Sequence, residues 1–292
     1  MNSIDELESQ NLSDSWASLY IIISQTIDIR FGIKGRELIR EAVRRFGCDL
    51  GESIHKYIVD TGSGLNLKNI LDIRNKCYPD PRFREVIIRA DEEVYLSDVL
   101  TCHLCDFWTR YGKRQLGNLF CEEFYPSLFS RLFRDKSQFN LSKMLTRDGN
   151  ILCQFAVYIR KANLDEKQFK NFFTVGESNA SFNKLFKDPK EKYEILCLKM
   201  YYYFLEVSWE KYSDEGKAVI ASAIQNLADF AVNFIKKRAE MTKNIFNDDY
   251  FNKNFAIDKR VLNKDFWNDY NGYNAKEIME VNFANIIRKT SL

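Results

Sequence analysis

Four prolines and twelve glycines in 292 residues leave long stretches free of helix breakers, so helices are the expected bulk of the fold. Charge of one sign is also missing. Forty-three Lys and Arg against 41 Asp and Glu leave a net charge of +2, too little for the phosphate attraction that nucleic-acid binders depend on. No nucleic-acid partner is expected. The N-terminal run Met1-Asn2-Ser3-Ile4-Asp5-Glu6-Leu7-Glu8 lacks the basic and apolar regions of a signal peptide. The longest apolar run, Leu19 to Ile23, falls short of the ~20 residues a bilayer span requires. These absences lead to the expectation of a soluble, cytoplasmic protein with no membrane partner. Seven cysteines are an odd number and thinly spread, which argues against a disulfide framework and for reduced thiols. No Gly-rich phosphate loop, serine nucleophile elbow or HExxH helix occurs.

What is present is a 45% hydrophobic, 14% aromatic chain, enough to bury a sizeable core. From Ser15 to Val59 apolar residues such as Leu38, Ile39, Ala42, Val43 and Phe46 fall at helical spacing, which predicts two or three packed helices. Thr61-Gly62-Ser63-Gly64 breaks the pattern, Asn66 to Asn75 reads as a short helix, and Tyr78-Pro79-Asp80-Pro81 reads as a turn. The period then changes. Glu85 to Arg89 and Glu93 to Leu100 read as strands, and Thr101 to Tyr111 and Lys113 to Phe133 as helices parted near Gly112. Phe139 to Thr146 and Ile151 to Arg160 flank Arg147-Asp148-Gly149-Asn150, a hairpin signal. Its second arm puts Ile151, Cys153, Phe155, Val157 and Ile159 on one face.

Beyond Ala162 helices return, around Lys190 to Tyr212 and Asp214 to Met241, before an Asn- and aromatic-rich tail. A shift of 181 residues aligns Tyr20 with Tyr201, Phe31 with Tyr212, Gly35 with Gly216, Ile39 with Ile220, Ala42 with Ala223 and Ile54 with Ile235. Two accounts fit: a duplicated helical unit, whose second copy lacks the cysteine-bearing part, or two unrelated amphipathic helix pairs sharing a period. The expected fold class is α+β, with N-terminal helices, a small antiparallel sheet under two covering helices and a mainly helical C-terminal extension. The expected domains are residues 1–165 and 166–292, and the C-terminal helices are the candidate homodimer surface.

Chemistry concentrates around the cysteines. Cys102 falls where a strand passes into a helix, and a helix N-terminus favours thiolate over thiol. It is the candidate nucleophile, with the adjacent His103 as a proton carrier. Cys121 shares a buried stripe with Gly117, Tyr125 and Leu128, and Glu122 and Glu123 should turn away from it; Glu122 is the candidate general base. Cys105, Trp108 and Cys153 are candidates to line a substrate pocket. Arg36 and Arg40, from the set Arg30, Lys34, Arg36, Arg40, Arg44 and Arg45, could grip a substrate carboxylate; a solvated face balanced by Glu37 and Glu41 fits equally. Small buried cysteines also pack like apolar residues. Cys102 and Cys105 form a single C-x2-C, a weak zinc signal without a second pair, so no cofactor is expected. His55, beside Lys56, reads as surface.

The order of these pieces resembles the L-2-amino-thiazoline-4-carboxylic acid hydrolase family: Gly35-Arg36 with Arg40-Glu41-Ala42, a strand ending in Cys102 with Trp108 six residues on, Gly112, Gly117, and Phe120-Cys121-Glu122. Leu145, Asp148-Gly149, Cys153 and Phe155 complete a match over Tyr20 to Lys161. His103 stands where the family pattern has proline, and Phe124 where it has an acidic residue. The resemblance implies a hydrolase that opens a cyclic C=N bond of a small thiazoline- or amidine-type carboxylate. The same plan also resembles vinyl-reductase-type sensor domains, which bind small molecules without turning them over.

Overall fold

A computed structural model of the chain describes residues 3–75, 80–173 and 186–290. The turn expected at Tyr78-Pro79 lies outside the described residues, while Asp80 and Pro81 continue into a turn at Arg82. The chain forms two compact units, one of Met1–Ala42 with Pro189–Leu292 and one of Val43–Asp188. This division differs from the boundary drawn near residue 165, because the helices at the two ends of the sequence pack on each other.

Helix α1 runs from Ser3–Asp60 and is broken at Gly32, whose φ of 56° and ψ of −130° leave the helical region. The apolar stripe Leu38, Ile39, Ala42, Val43 and Phe46 is fully buried. Helix α6, Pro189–Met241, breaks the same way at Ser213, φ 48° and ψ −128°. It is long and apolar enough to cross a membrane by length and composition, yet Tyr201, Phe204, Leu205 and Val207 are buried in the fold. In the first unit the two helices meet through Tyr20 and Phe204, centroids 6.1 Å apart, and through the Arg238–Asp14 ion pair at 3.1 Å. Helix α7, Asp248–Asn254, is capped by Asn247, which accepts from the Tyr250 amide, and short helices between Val261 and Thr290 complete this unit.

In the second unit, helix α2 spans Leu67–Asn75 and follows a turn at Gly62 with φ of 69°. A four-stranded antiparallel sheet has the order β1-β2-β4-β3, with β1 at Arg84–Ala90, β2 at Val94–Thr101, β3 at Ser137–Lys143 and β4 at Cys153–Ile159. Helices α3, His103–Arg110, and α4, Arg114–Leu132, part at Gly112, φ 67°, and helix α5 spans Glu166–Phe173. The architecture is α+β, as the sequence predicts. The C-terminal part of α1 reaches α4 at backbone distance: a Cβ on Gly51 would lie 2.5 Å from the Leu128 carbonyl oxygen, so only glycine fits there.

Two local expectations change. The hairpin pairs as predicted, but its arms stop at Lys143 and Cys153, leaving a wide loop. Met144 is buried there, and the Leu145 amide donates to the Cys153 sulfur at 3.1 Å, so this stretch turns inward instead of extending the ladder. Ile151, 84% exposed, therefore leaves the face it was expected to share with Cys153. His55 is not free surface either: its Nδ1 lies 2.8 Å from the Leu132 carbonyl, and Arg134 donates to its Nε2 at 3.3 Å.

Candidate active site

Cys153 sits on β4 opposite Val99 of β2, and both point into the core beneath the inward-turned loop. Val99, Met144 and Cys153 form a buried cluster against which Phe83, Cys102, Cys121, Leu141, Leu145 and Phe155 pack. Three thiols from three separate segments therefore meet: the β2–α3 junction, the middle of α4, and β4. Cys102 is the N-cap residue of α3, with extended φ of −132° and ψ of 117°.

Helix-end stabilisation of a Cys102 thiolate does not win. Burial pushes its thiol up to about 12, while the Cys105 and Leu104 amides pull the other way without closing a capping hydrogen bond. Burial likewise raises Cys153 to about 11 and Cys121 well above its ordinary value, the neighbouring thiols adding to the effect. Cys105 is raised by burial, against the pull of Thr109, whose hydroxyl lies 3.9 Å from its sulfur, and of Arg114. All four thiols are thus protonated at neutral pH, the correction that tertiary structure makes to the helix-dipole argument.

Above the thiols lies a polar rim. Arg114 donates to the Leu145 carbonyl and, at 2.9 Å, to the Arg147 carbonyl, and pairs with Asp148 at 3.3 Å. Asn118 donates to Glu122 at 2.8 Å and accepts from Thr146 at 3.2 Å. Arg147 donates to the same Glu122 oxygen at 2.9 Å, and Thr146 also hydrogen-bonds the Cys121 thiol. Glu122 is consequently tied into the site rather than turned out to solvent, and Glu123 pairs with Arg44 at 2.9 Å. Arg114, Asn118, Thr146 and Arg147 escaped the sequence reading: Arg114 and Asn118 share α4 with Cys121, but only the inward-turned loop brings Thr146 and Arg147 against them. The Arg147-Asp148-Gly149 turn signal was the one available hint.

The other sequence candidates lie outside the thiol cluster itself, His103 beside it through Phe83. His103 lies edge-on to Phe83, centroids 6.4 Å apart, and its charge is felt by Asp80. Burial raises the Asp80 carboxyl, but hydrogen bonds from Arg82 and the nearby His103 and Arg82 charges outweigh it, leaving the group below its ordinary value. Trp108 packs in the core against Phe120 at 5.6 Å, and a Cβ on Gly117 would meet its ring at 2.2 Å. Arg36 and Arg40 belong to the other compact unit, where Arg36 pairs with Asp28 at 2.8 Å. Among the described residues no three His, Cys, Asp or Glu side chains converge as a metal-binding group.

Residues 15–157 match the family model described as L-2-amino-thiazoline-4-carboxylic acid hydrolase. This segment belongs to that family. The match takes in the whole thiol cluster, with its rim, and nearly all of β4. No curated protein and no solved structure matches the chain. The hydrolase family is named for cleavage of a thiazoline carboxylic acid, a heterocycle with a C=N bond and a carboxylate. In this chain the matched segment carries the Arg147–Glu122 ion pair beside the thiol cluster.

Proposed function

We propose that the Cys102–Cys121–Cys153 site hydrolyses the cyclic C=N bond of a small thiazoline- or amidine-type carboxylate. The observation that carries this reading is the convergence of three protonated thiols beneath the Glu122–Arg147 rim, within the segment that belongs to the hydrolase family. Arg147 offers a guanidinium to the substrate carboxylate. Cys102 sulfur bonds to the carbon between nitrogen and sulfur while its proton passes to the ring nitrogen, so no free thiolate is needed beforehand. The ring carbon–sulfur bond then breaks as a nitrogen lone pair re-forms the C=N bond, and the departing sulfur takes the proton that this nitrogen gives up. Water adds to the carbon held on Cys102, one of its protons passing by way of Glu122 to the C=N nitrogen, and the bond to Cys102 breaks as the remaining hydroxyl becomes the carbonyl and gives its proton to the sulfur. One water is consumed, and the product carries a carbamoyl group and a free thiol. Cys121 and Cys153 flank Cys102 in the cluster, and the described cysteines, all free, fit a reducing cytoplasmic setting.

Protonation of every thiol also supports a second reading, a module that binds the same ring without turning it over. One experiment separates the two. Reduced protein is incubated with 2-amino-thiazoline-4-carboxylic acid, with Cys102→Ser in parallel, and thiol product is followed by mass spectrometry. Product from wild type alone supports the hydrolase. Turnover unchanged in Cys102→Ser sinks the role of Cys102, and thermal stabilisation by unaltered ligand selects the binding module.

A further inference from the structure

The loop between β3 and β4 covers the thiols without belonging to the sheet. Ladder pairing ends where Lys143 meets Gln154, and a register shift between Leu141 and Lys143 turns the chain out of the strand. From there to Cys153 the loop has two faces. Met144, 1% exposed, and Thr146 are buried, and Met144 belongs to the cluster against which Cys102 and Cys121 pack. Arg147, Asp148, Gly149 and Ile151 are exposed. Cys102 and Cys121 each keep some exposed surface, yet burial is the largest influence on both thiols, so it is the sulfurs that loop and core enclose. A ring reaches the Cys102 sulfur only when part of this cover moves.

The loop is the part built to move. Its own backbone hydrogen bonds close turns within it, from the Arg147 amide to Met144 at 2.9 Å and from the Asn150 amide to Arg147 at 3.3 Å. What fastens it down is a row of side chains on α4. Arg114 donates to the Leu145 carbonyl, to the Arg147 carbonyl at 2.9 Å and to Asp148 at 3.3 Å. Asn118 accepts from Thr146 at 3.2 Å, and Glu122 pairs with Arg147 at 2.9 Å. Arg114, Asn118 and Glu122 recur every fourth residue, so they stand in line along one side of the helix. A segment held by side chains instead of ladder bonds opens at a lower free energy than the strands beside it. Arg114 holds two carbonyls with one planar fork, which a lysine ammonium cannot copy.

We infer that residues 144–152 are a lid over the thiol cluster, and that Arg114 is its latch, a positioning residue that sets how often Cys102 is uncovered. The inference rests on the reading of this cluster as the substrate site, and it gives the two arginines separate tasks: Arg147 meets the substrate, and Arg114 governs access to it.

The test labels the reduced chain with iodoacetamide at pH 7.5 in the absence of substrate and counts modified Cys102 and Cys197 by peptide mass spectrometry. Cys197, 1% exposed in the other compact unit, reports global unfolding. In wild type Cys102 should label faster than Cys197, since local opening uncovers only the former. Arg114→Gln should speed Cys102 about tenfold, in keeping with the loss of charged hydrogen bonds to the loop, and leave Cys197 unchanged. Arg114→Lys should fall between the two. Wild-type labelling of both cysteines at one rate overturns the inference without recourse to any variant. So does an Arg114→Gln chain that labels Cys102 no faster than wild type, or that speeds both cysteines alike. Because no substrate is present, the lid stands or falls independently of hydrolysis.

Discussion

Phe31 and Tyr212, 181 residues apart in the sequence, stack face to face with ring centroids 4.0 Å apart and planes 7° from parallel. Each immediately precedes the residue at which its long helix breaks. The breaks at Gly32 and Ser213 have nearly the same backbone angles, and the same spacing recurs at the helix ends. Gly62 and Lys243 both take positive φ, and the Ser63 and Asn244 amides reach back to Ile58 and Ala239 carbonyls. Asn66 caps the Asn69 amide as Asn247 caps that of Tyr250, both at 2.9 Å. Amphipathic periodicity explains a shared stripe of apolar residues, but not a shared kink, a shared turn and a shared cap. These correspondences carry the 181-residue shift from sequence into backbone geometry.

Ser213 holds with a side chain a conformation that Gly32 adopts without one. Its φ of 48° with ψ of −128° lies where L-residues are strained. Ser213→Gly should raise stability by about 1 kcal/mol, and Gly32→Ser should lower it by a similar amount. Urea denaturation of both variants would measure this; a destabilised Ser213→Gly would mean that the serine makes a contact worth more than the strain.

The buried thiols make stability depend on alkaline pH. A group whose folded pKa is raised binds its proton longer in the folded state than in the unfolded one, so stability is full below the unfolded value and lost above it. For Cys102, raised from 9.0 to about 12, and Cys153, raised to about 11, that window opens near pH 9. Denaturation midpoints should hold steady from pH 7 to 8.5 with respect to these groups and fall between pH 9 and 11. Cys102→Ala should flatten the fall. Iodoacetamide labelling of Cys102 at pH 7.5 should accordingly be far slower than that of a free thiol.

Gly117 faces the Trp108 ring so closely that an added Cβ would sit 2.2 Å from it. Gly117→Ala should destabilise by about 2 kcal/mol, within the range for overpacking a filled core. Tryptophan fluorescence and thermal unfolding would report it. A neutral outcome would show that α3 and α4 can slide apart, and with them the arms that carry Cys102 and Cys121.

The sequence by itself determined the elements and their order. Helical spacing located α1, α3, α4 and both halves of α6, short runs rich in Val, Ile and Leu located β1 and β2, two-residue alternation located β4, and glycine marked the breaks at Gly62 and Gly112, because those signals are local. Local chemistry also singled out Cys102, Cys121, Cys153 and Glu122 as residues of interest. Tertiary structure decided what those residues are like. Burial outweighs the pull of the α3 amides on Cys102, and desolvation is set by everything packed around a group, not by its neighbours in sequence. The inward turn at Met144 and Leu145, invisible to a period-two pattern, brought Thr146 and Arg147 to the thiols, where α4 meets them with Arg114, Asn118 and Glu122. It likewise took three-dimensional packing to place Trp108 in the core and Arg36 and Arg40 in the other unit, since side-chain type fixes what a residue can do and the long-range fold fixes what it meets.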